Sequence, residues 1–345
     1  MKARQLTYAA LFIGCTLAVF TACSSNEDPL TPKGKTPVGI TTTITGEVVT
    51  KTTPEDKTYT PTDASNEKIY LYYENGSNTE VKEKGVFTYN SDASGGAKWE
   101  SAALSSGDEM LWDDLAPVTL SEQPKYPFFA VAPVDLANAT TGAVEADQST
   151  SAQANLIKSD LLMAYTDATT QKGTVALTFK HMLAKLTVKV KVGTVNGFNS
   201  SEVKIKNAIK DYTVGYGSPT TAAPATITTA VAGENSISAT ELTPFAGADE
   251  GSDESLAKVY SVILPAQNVS STAAKVEIKI TVGSSPQVVN TYTFQPGGAI
   301  TLVNGTHTTL TLTIKGTKVE LGDVKVTDWA DESQNGDITI DQPSA

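Results

Sequence analysis

Cysteine is almost missing from this chain: Cys15 and Cys23 are the only two in 345 residues, and none occurs in the 322 that follow. A body without thiols forms no disulfide and no cysteine-based metal site, so its fold must rest on its apolar core. Arginine is scarcer still, with Arg4 the sole example. Histidine is limited to His181 and His307, 126 residues apart, which leaves zinc ligation or a Ser-His-Asp triad dependent on a single imidazole. No GxGxxG, P-loop or HExxH text is present, so no cofactor is indicated. The formal net charge of −12 disfavours nucleic-acid binding, because phosphate contacts need a basic face. A membrane-spanning run is missing near the start too, since the uncharged stretch 6–22 holds 17 residues and three threonines. A spanning helix wants roughly 20 apolar residues.

What stands at the start is Lys2 and Arg4, then that apolar stretch, then a small residue, the layout of a secretory signal over residues 1–22. The ending Phe20-Thr21-Ala22-Cys23 resembles the lipobox of bacterial lipoproteins, with Phe20 where leucine is usual. The resemblance implies that Cys23 is acylated, becomes residue one of the mature chain, and holds the protein to the outer membrane. Each buried methylene of an acyl chain adds about 0.8 kcal/mol, so two or more chains anchor persistently. A rival box at Phe12-Ile13-Gly14-Cys15 would leave the apolar TLAVF at the mature terminus. Loss of Lys2 and Arg4 takes the mature charge to 24 − 38 = −14. Ser24 to Asp28 resemble the acidic tether of outer-face lipoproteins and also fit a plain linker. Residues 23–38, with three prolines between 24 and 38, read as a flexible tether.

The body reads as all-β. Its length exceeds what one core normally serves, so two domains are expected, 39–170 and 171–345. Ile40-Thr41-Thr42-Thr43-Ile44 and Glu47-Val48-Val49-Thr50 are β-branched first-strand text. Ile69 to Tyr73 is a nearly unbroken apolar run before Asn75-Gly76, a turn dipeptide. Val86 to Tyr89, Lys98-Trp99 and Tyr126 to Ala132 continue a series spaced for a sandwich. Residues 137–154 look like a surface loop, with a short helix between 151 and 162. From Thr174 onward Val175, Leu177 and Phe179, then Leu186, Val188, Val190 and Val192, alternate with polar residues. Such alternation predicts long strands with one face in the core and one solvated. Val203 to Ile205, Val259 to Leu264, Val276 to Val282, Thr308 to Ile314 and Val324 to Val326 supply further strands.

Little in the body points to chemistry. His181 reads as a histidine bonded to its neighbours, and His307, after the turn Asn304-Gly305, as exposed. Acidic groups cluster at Asp108-Glu109 with Asp113-Asp114 and at Asp249-Glu250 with Asp253-Glu254. Neither set has the chelating spacing of a calcium loop, and both read as solvated loops. Trp99 and Trp112 offer aromatic platforms for a glycan or host ligand if they lie in loops, and otherwise core.

Asp160-Leu161-Leu162-Met163-Ala164 and the run VALTFKHMLAKLTVKV at 175–190 contain Phe179, His181, Ala184 and Leu186 in an F-x-H-x-x-A-x-L pattern. Together with VILPAQ at 262–267, LVNGTHTTLTLTI at 302–314 and VTDW at 326–329, in that order, they resemble the fimbrillin family. The resemblance implies two tandem β-sandwich domains of transthyretin-like type and a non-enzymatic role as a type V pilus subunit. Its partners would be other fimbrial subunits and a processing protease. In stalk members the first strand is cut away and a C-terminal strand of the next subunit fills the groove. Carried onto this chain, the removed strand holds Ile40, Ile44 and Val48, and the donated strand holds Val324, Val326, Ile338 and Ile340. The alternative is that both pair within their own subunit. No arginine survives in the mature chain, so the candidate processing positions are Lys51 and Lys57. An uncut chain would be an anchor, or a stand-alone surface lipoprotein binding glycan or host ligands.

Overall fold

The computed structural model describes residues 36–45, 68–73, 83–90, 98–101, 110–115, 117–120, 123–133, 135, 141–149, 154–168, 173–215, 226–229, 240–270, 272–294, 296–315 and 318–329. In chain order the first strands are β1 (Gly39–Thr45), β2 (Lys68–Tyr73), β3 (Glu83–Asn90), β4 (Lys98–Ser101), β5 (Val118–Leu120), β6 (Gln123–Ala132) and β7 (Thr141–Ala143). The helix α1 (Ala154–Ser159) precedes β8 (Leu162–Ala168), β9 (Thr174–His181), β10 (Ala184–Lys191), β11 (Phe198–Ala208), β12 (Asp211–Gly215) and β13 (Thr226–Thr229). Then come β14 (Thr240–Leu242), β15 (Phe245–Ala246), β16 (Ala257–Leu264), β17 (Asn268–Val269) and β18 (Lys275–Val282). The last are β19 (Val288–Phe294), β20 (Ile300–Thr301), β21 (Thr306–Lys315) and β22 (Lys318–Asp328). Among the described residues α1 is the one α-helix, so the all-β expectation holds.

The first sheet runs β1-β9-β8-β6-β2-β3-β4, with β5 added to β6. Its neighbours are antiparallel except β1, which lies parallel to β9. The period-two pattern of β9 is met in full: Val175, Leu177, Phe179 and His181 are buried and the residues between are exposed. On that face Ile69, Leu71, Tyr73, Phe128, Ala130 and Leu162 join them in one core. Trp112 closes it, set edge-on to Tyr126 at 5.3 Å and to Phe128 at 5.6 Å. The middle strands are apolar on both faces because Tyr72, Phe129, Val131 and Met163 turn the other way into a second core. This explains why β2 and β6 read as continuous apolar runs rather than alternating ones.

Two further sheets face each other over the second core. One runs β15-β16-β10-β21-β22, the other β14-β11-β18-β19. The central β10 is antiparallel to β16 and parallel to β21. Leu186, Val188 and Val190 meet Leu310, Leu312, Val203, Ile205, Val276, Ile278 and Ile280 inside. A small sheet β13-β12-β7 and the pair β17-β20 complete the strands.

Three local expectations change. The stretch 137–154 is not merely a surface loop: β7 pairs with β12, and Val144 and Gln148 are buried. Gln148 acts there as a substitute strand, its Nε2 donating to the Ile263 carbonyl at 2.8 Å while its Oε1 accepts from the Ile263 amide at 2.9 Å. That side chain satisfies the edge of β16 where β15 has ended. Residues 36–38, read as tether, are already in the fold, since Val38 is buried and its amide donates to the Met110 carbonyl. Finally β9, which starts beyond residue 170, is a member of the first sheet through β1 and β8.

Candidate functional site

The seat of β1 is the first of two places where the sequence motifs acquire geometry. β1 is an edge strand, and its register runs from Gly39 opposite Thr174 to Thr45 opposite Lys180. Ile40 stands opposite Val175, and Ile44 opposite Phe179. Val38, Ile40 and Thr42 point inward and are 1%, 8% and 5% exposed. On its other flank β1 touches β4, from the far end of the same sheet. There the Trp99 indole Nε1 donates to Thr42 Oγ1 at 3.0 Å. β1 is therefore wedged between a ladder of backbone bonds to β9 and one buried indole from β4. Just ahead of it Thr36 donates its amide to Asp113 Oδ2 at 2.7 Å and accepts from the Trp112 amide at 2.9 Å.

The second place joins motifs that the sequence presents separately. Nδ1 of His181 donates to Asp160 Oδ1 at 2.8 Å, and both side chains are buried. Trp329 stacks on the imidazole with centroids 4.0 Å apart. The Trp329 amide donates to the Gly305 carbonyl, the Gly305 amide to the Leu183 carbonyl, and the Met182 amide to the Leu161 carbonyl. DLLMA, FKHML, LVNGTH and VTDW thus meet at one point. His181 was visible in the sequence; its partners Asp160, Gly305 and Trp329 were not singled out. Their place in the stretches that resemble one family was the one available signal.

The other candidates are dispersed. Val324 and Val326 lie in β22, half-buried, opposite Leu310 and Thr308 of their own chain. Cys23, Val48, Lys51, Lys57, Ile338 and Ile340 lie outside the described residues. Trp99 and Trp112 are core residues, 9% and 0% exposed, so they form no binding platform. His307 is not exposed either. It sits half-buried on β21, with Nε2 at 2.8 Å from Thr187 Oγ1. Burial first, then the ammonium groups of Lys185, Lys189 and Lys325, push its pKa down to about 3.

The acidic loop is solvated and ion-paired: Glu250 meets Lys189 at 2.8 Å and Asp249 meets Lys258 at 2.5 Å. Lys206 similarly holds the Glu241 carboxyl below its usual range. Among the described residues no three His, Cys, Asp or Glu gather where they could hold a metal ion. No described helix is long and apolar enough to cross a membrane.

The fimbrillin-like family model matches residues 48–329, and the chain belongs to that family. The family is one of fimbrial subunits. In fold the chain is similar to a candidate cell adhesion protein from Bacteroides ovatus. The two are 17% identical over 86% of this chain and 99% of that one, with a TM-score of 0.55. A second such protein, from Bacteroides uniformis, is 20% identical over 87% and 100%, with a TM-score of 0.51. Nothing among the curated proteins matches the chain.

Proposed function

We propose that this chain is a fimbrial subunit made as a lipoprotein, acylated at Cys23, and assembled at the outer surface by strand exchange. Cleavage after Lys51 or Lys57 frees β1, and the C-terminal strand of the next copy, carrying Ile338 and Ile340, takes its seat. The observation that supports this reading is the position of β1: a sheet-edge strand, parallel to its single ladder partner, over an inward row. Burying Val38 and Ile40 contributes a gross 3–6 kcal/mol or so, at about 1.5–3 kcal/mol for each side chain. The β9 ladder adds backbone bonds that any strand can replace, whatever its sequence. Such a seat holds a strand firmly, and an emptied one is an open edge that invites another.

On this reading the body is two sandwich domains in tandem, divided near Met182 so that β9 stays with the first. Val324 and Val326 remain in β22 as part of their own subunit, and the donated segment lies beyond Trp329.

The N-terminus of the protein on its native surface tests the proposal, by intact mass and peptide mapping. A chain starting just after Lys51 or Lys57 and running as a heat-sensitive ladder is the expected result. A chain that begins at acylated Cys23 is an uncut anchor or stand-alone lipoprotein and overturns the cleaved-subunit reading.

A further inference from the structure

The seat of β1 has a weakness that its apolar row leaves open. Side chains of a strand repeat every two residues, so a slip of one residue reverses its faces, but a slip of two leaves every inward position inward. Val38, Ile40 and Thr42 are such a row, and a two-residue slip would set Ile40 where Thr42 stands. A group in the described seat that distinguishes the two registers by chemistry is the buried Nε1 of Trp99, which donates to Thr42 Oγ1 at 3.0 Å. An aliphatic side chain there would leave that donor without its acceptor in a dry site, a penalty apolar contact does not recover.

We propose that Trp99 is a register pin, and that the seat accepts strands carrying two aliphatic side chains two residues apart, followed two residues later by a hydrogen-bond acceptor. The same logic lets one buried polar side chain set the register of a coiled coil. Beside Val319, Leu321 and Asp323 of β22, a strand already paired with β21 of its own chain, two further segments near the C-terminus repeat the spacing of Val38, Ile40 and Thr42. The first is Val324, Val326 and Asp328, already engaged with β21 in its own chain. The second is Ile338, Ile340 and Gln342, which belongs to no described strand. A neutral amide oxygen can accept from the indole without bringing a charge into the core, whereas Asp328 would bring one. The occupant is therefore the 338–342 segment of a second copy, running parallel to β9, with Ile338 at the Val38 position, Ile340 at Ile40 and Gln342 against Trp99. Pro343 then ends the strand pairing.

This inference rests on the exchange reading above, and its test separates the two. The mature chain is nicked after Lys51 and Lys57 by a lysine-specific protease, and fluorescein-labelled peptides of residues 336–345 are exchanged into the seat and followed by anisotropy. The native peptide is expected to bind roughly fivefold to tenfold tighter than its Gln342→Leu form. In the Trp99→Phe protein the two should bind alike. Equal binding to the unmodified protein, or an advantage that persists in Trp99→Phe, overturns the pin and leaves exchange standing. Failure of both tail peptides, with rebinding of a 36–45 peptide to show that the seat is open, overturns the tail as occupant and the exchange reading with it. Should Trp99→Phe fail to fold, the indole N–H resonance of the unmodified protein decides. It shifts to a hydrogen-bonded position with the native peptide and not with Gln342→Leu if the pin exists, and responds identically to both if it does not.

Discussion

Trp329, one residue past β22, lies flat on the imidazole of His181 at the end of β9, with ring centroids 4.0 Å apart and planes 3° from parallel. The stack ties the C-terminal edge strand of one sheet to a strand of another, and Asp160 holds the imidazole from the side. Trp329 is 4% exposed, so the contact is dry. Offset aromatic pairs add about 0.5–1.5 kcal/mol beyond the area they bury.

Trp329→Ala should therefore lower stability by about 3–5 kcal/mol, the usual range for deleting a buried aromatic. Trp329→Phe should recover more than half of the loss. Urea denaturation midpoints at constant m-value measure both, and a loss under ~1 kcal/mol for the alanine variant would show that the stack is incidental.

Asp160→Ala and His181→Ala should be strongly non-additive, because each alone strands a buried polar partner. A double-mutant cycle is expected to give a coupling of about 1–3 kcal/mol. Additive losses would mean that the 2.8 Å contact contributes nothing of its own.

Gly305 supports the same junction with φ at +74°, and a Cβ built on it would lie 3.3 Å from the His181 carbonyl oxygen. Gly305→Ala is expected to cost about 1–2 kcal/mol from the left-handed backbone alone. A Gly305→Ala variant that melts at the parent temperature would sink this prediction.

His307 predicts an acid limb in the stability profile. Its folded pKa, about 3, lies below the ordinary value of 6.5, so between those values the unfolded chain binds a proton that the folded chain refuses. The contribution is complete above pH 6.5 and is lost as the pH falls toward 3. Across that window the loss is on the order of a few kcal/mol. Lys185 and Lys189 of β10 and Lys325 of β22 act in the same direction by repelling the imidazolium. His307→Gln should flatten the profile relative to the parent between about pH 6.5 and 4, read from urea midpoints at each pH. Parallel profiles would refute the assignment.

Thr42→Val should destabilise the intact chain by about 1–3 kcal/mol despite its near-identical shape, since it removes the acceptor of the Trp99 indole. Thr42→Ser keeps the acceptor and should lose much less. A Thr42→Val variant as stable as its parent would mean that the indole finds another partner at no cost.

The sequence was most informative where one face of a strand is wet. In β9 the alternation of Val175, Leu177 and Phe179 with exposed residues was readable residue by residue, because solvent on one side and core on the other impose period two. The apolar run of β2 was readable as a strand, although not as one buried on both sides. His181 stood out by rarity. The burial of His307, Trp99 and Trp112 was not legible, since each follows from what another part of the chain lays over it.

The chain's composition and patterning by themselves determined an all-β protein free of thiols beyond Cys23, and its text carried the stretches that resemble the fimbrillin family. Tertiary structure alone decided that β1 runs parallel to β9 against Trp99, that Gln148 completes the edge of β16, and that Asp160, His181, Gly305 and Trp329 meet. The physical reason is that alternation specifies which way side chains face, a local property. Which strand lies alongside depends on packing and on backbone donors and acceptors supplied by distant residues, and one strand's own pattern carries no record of its neighbour.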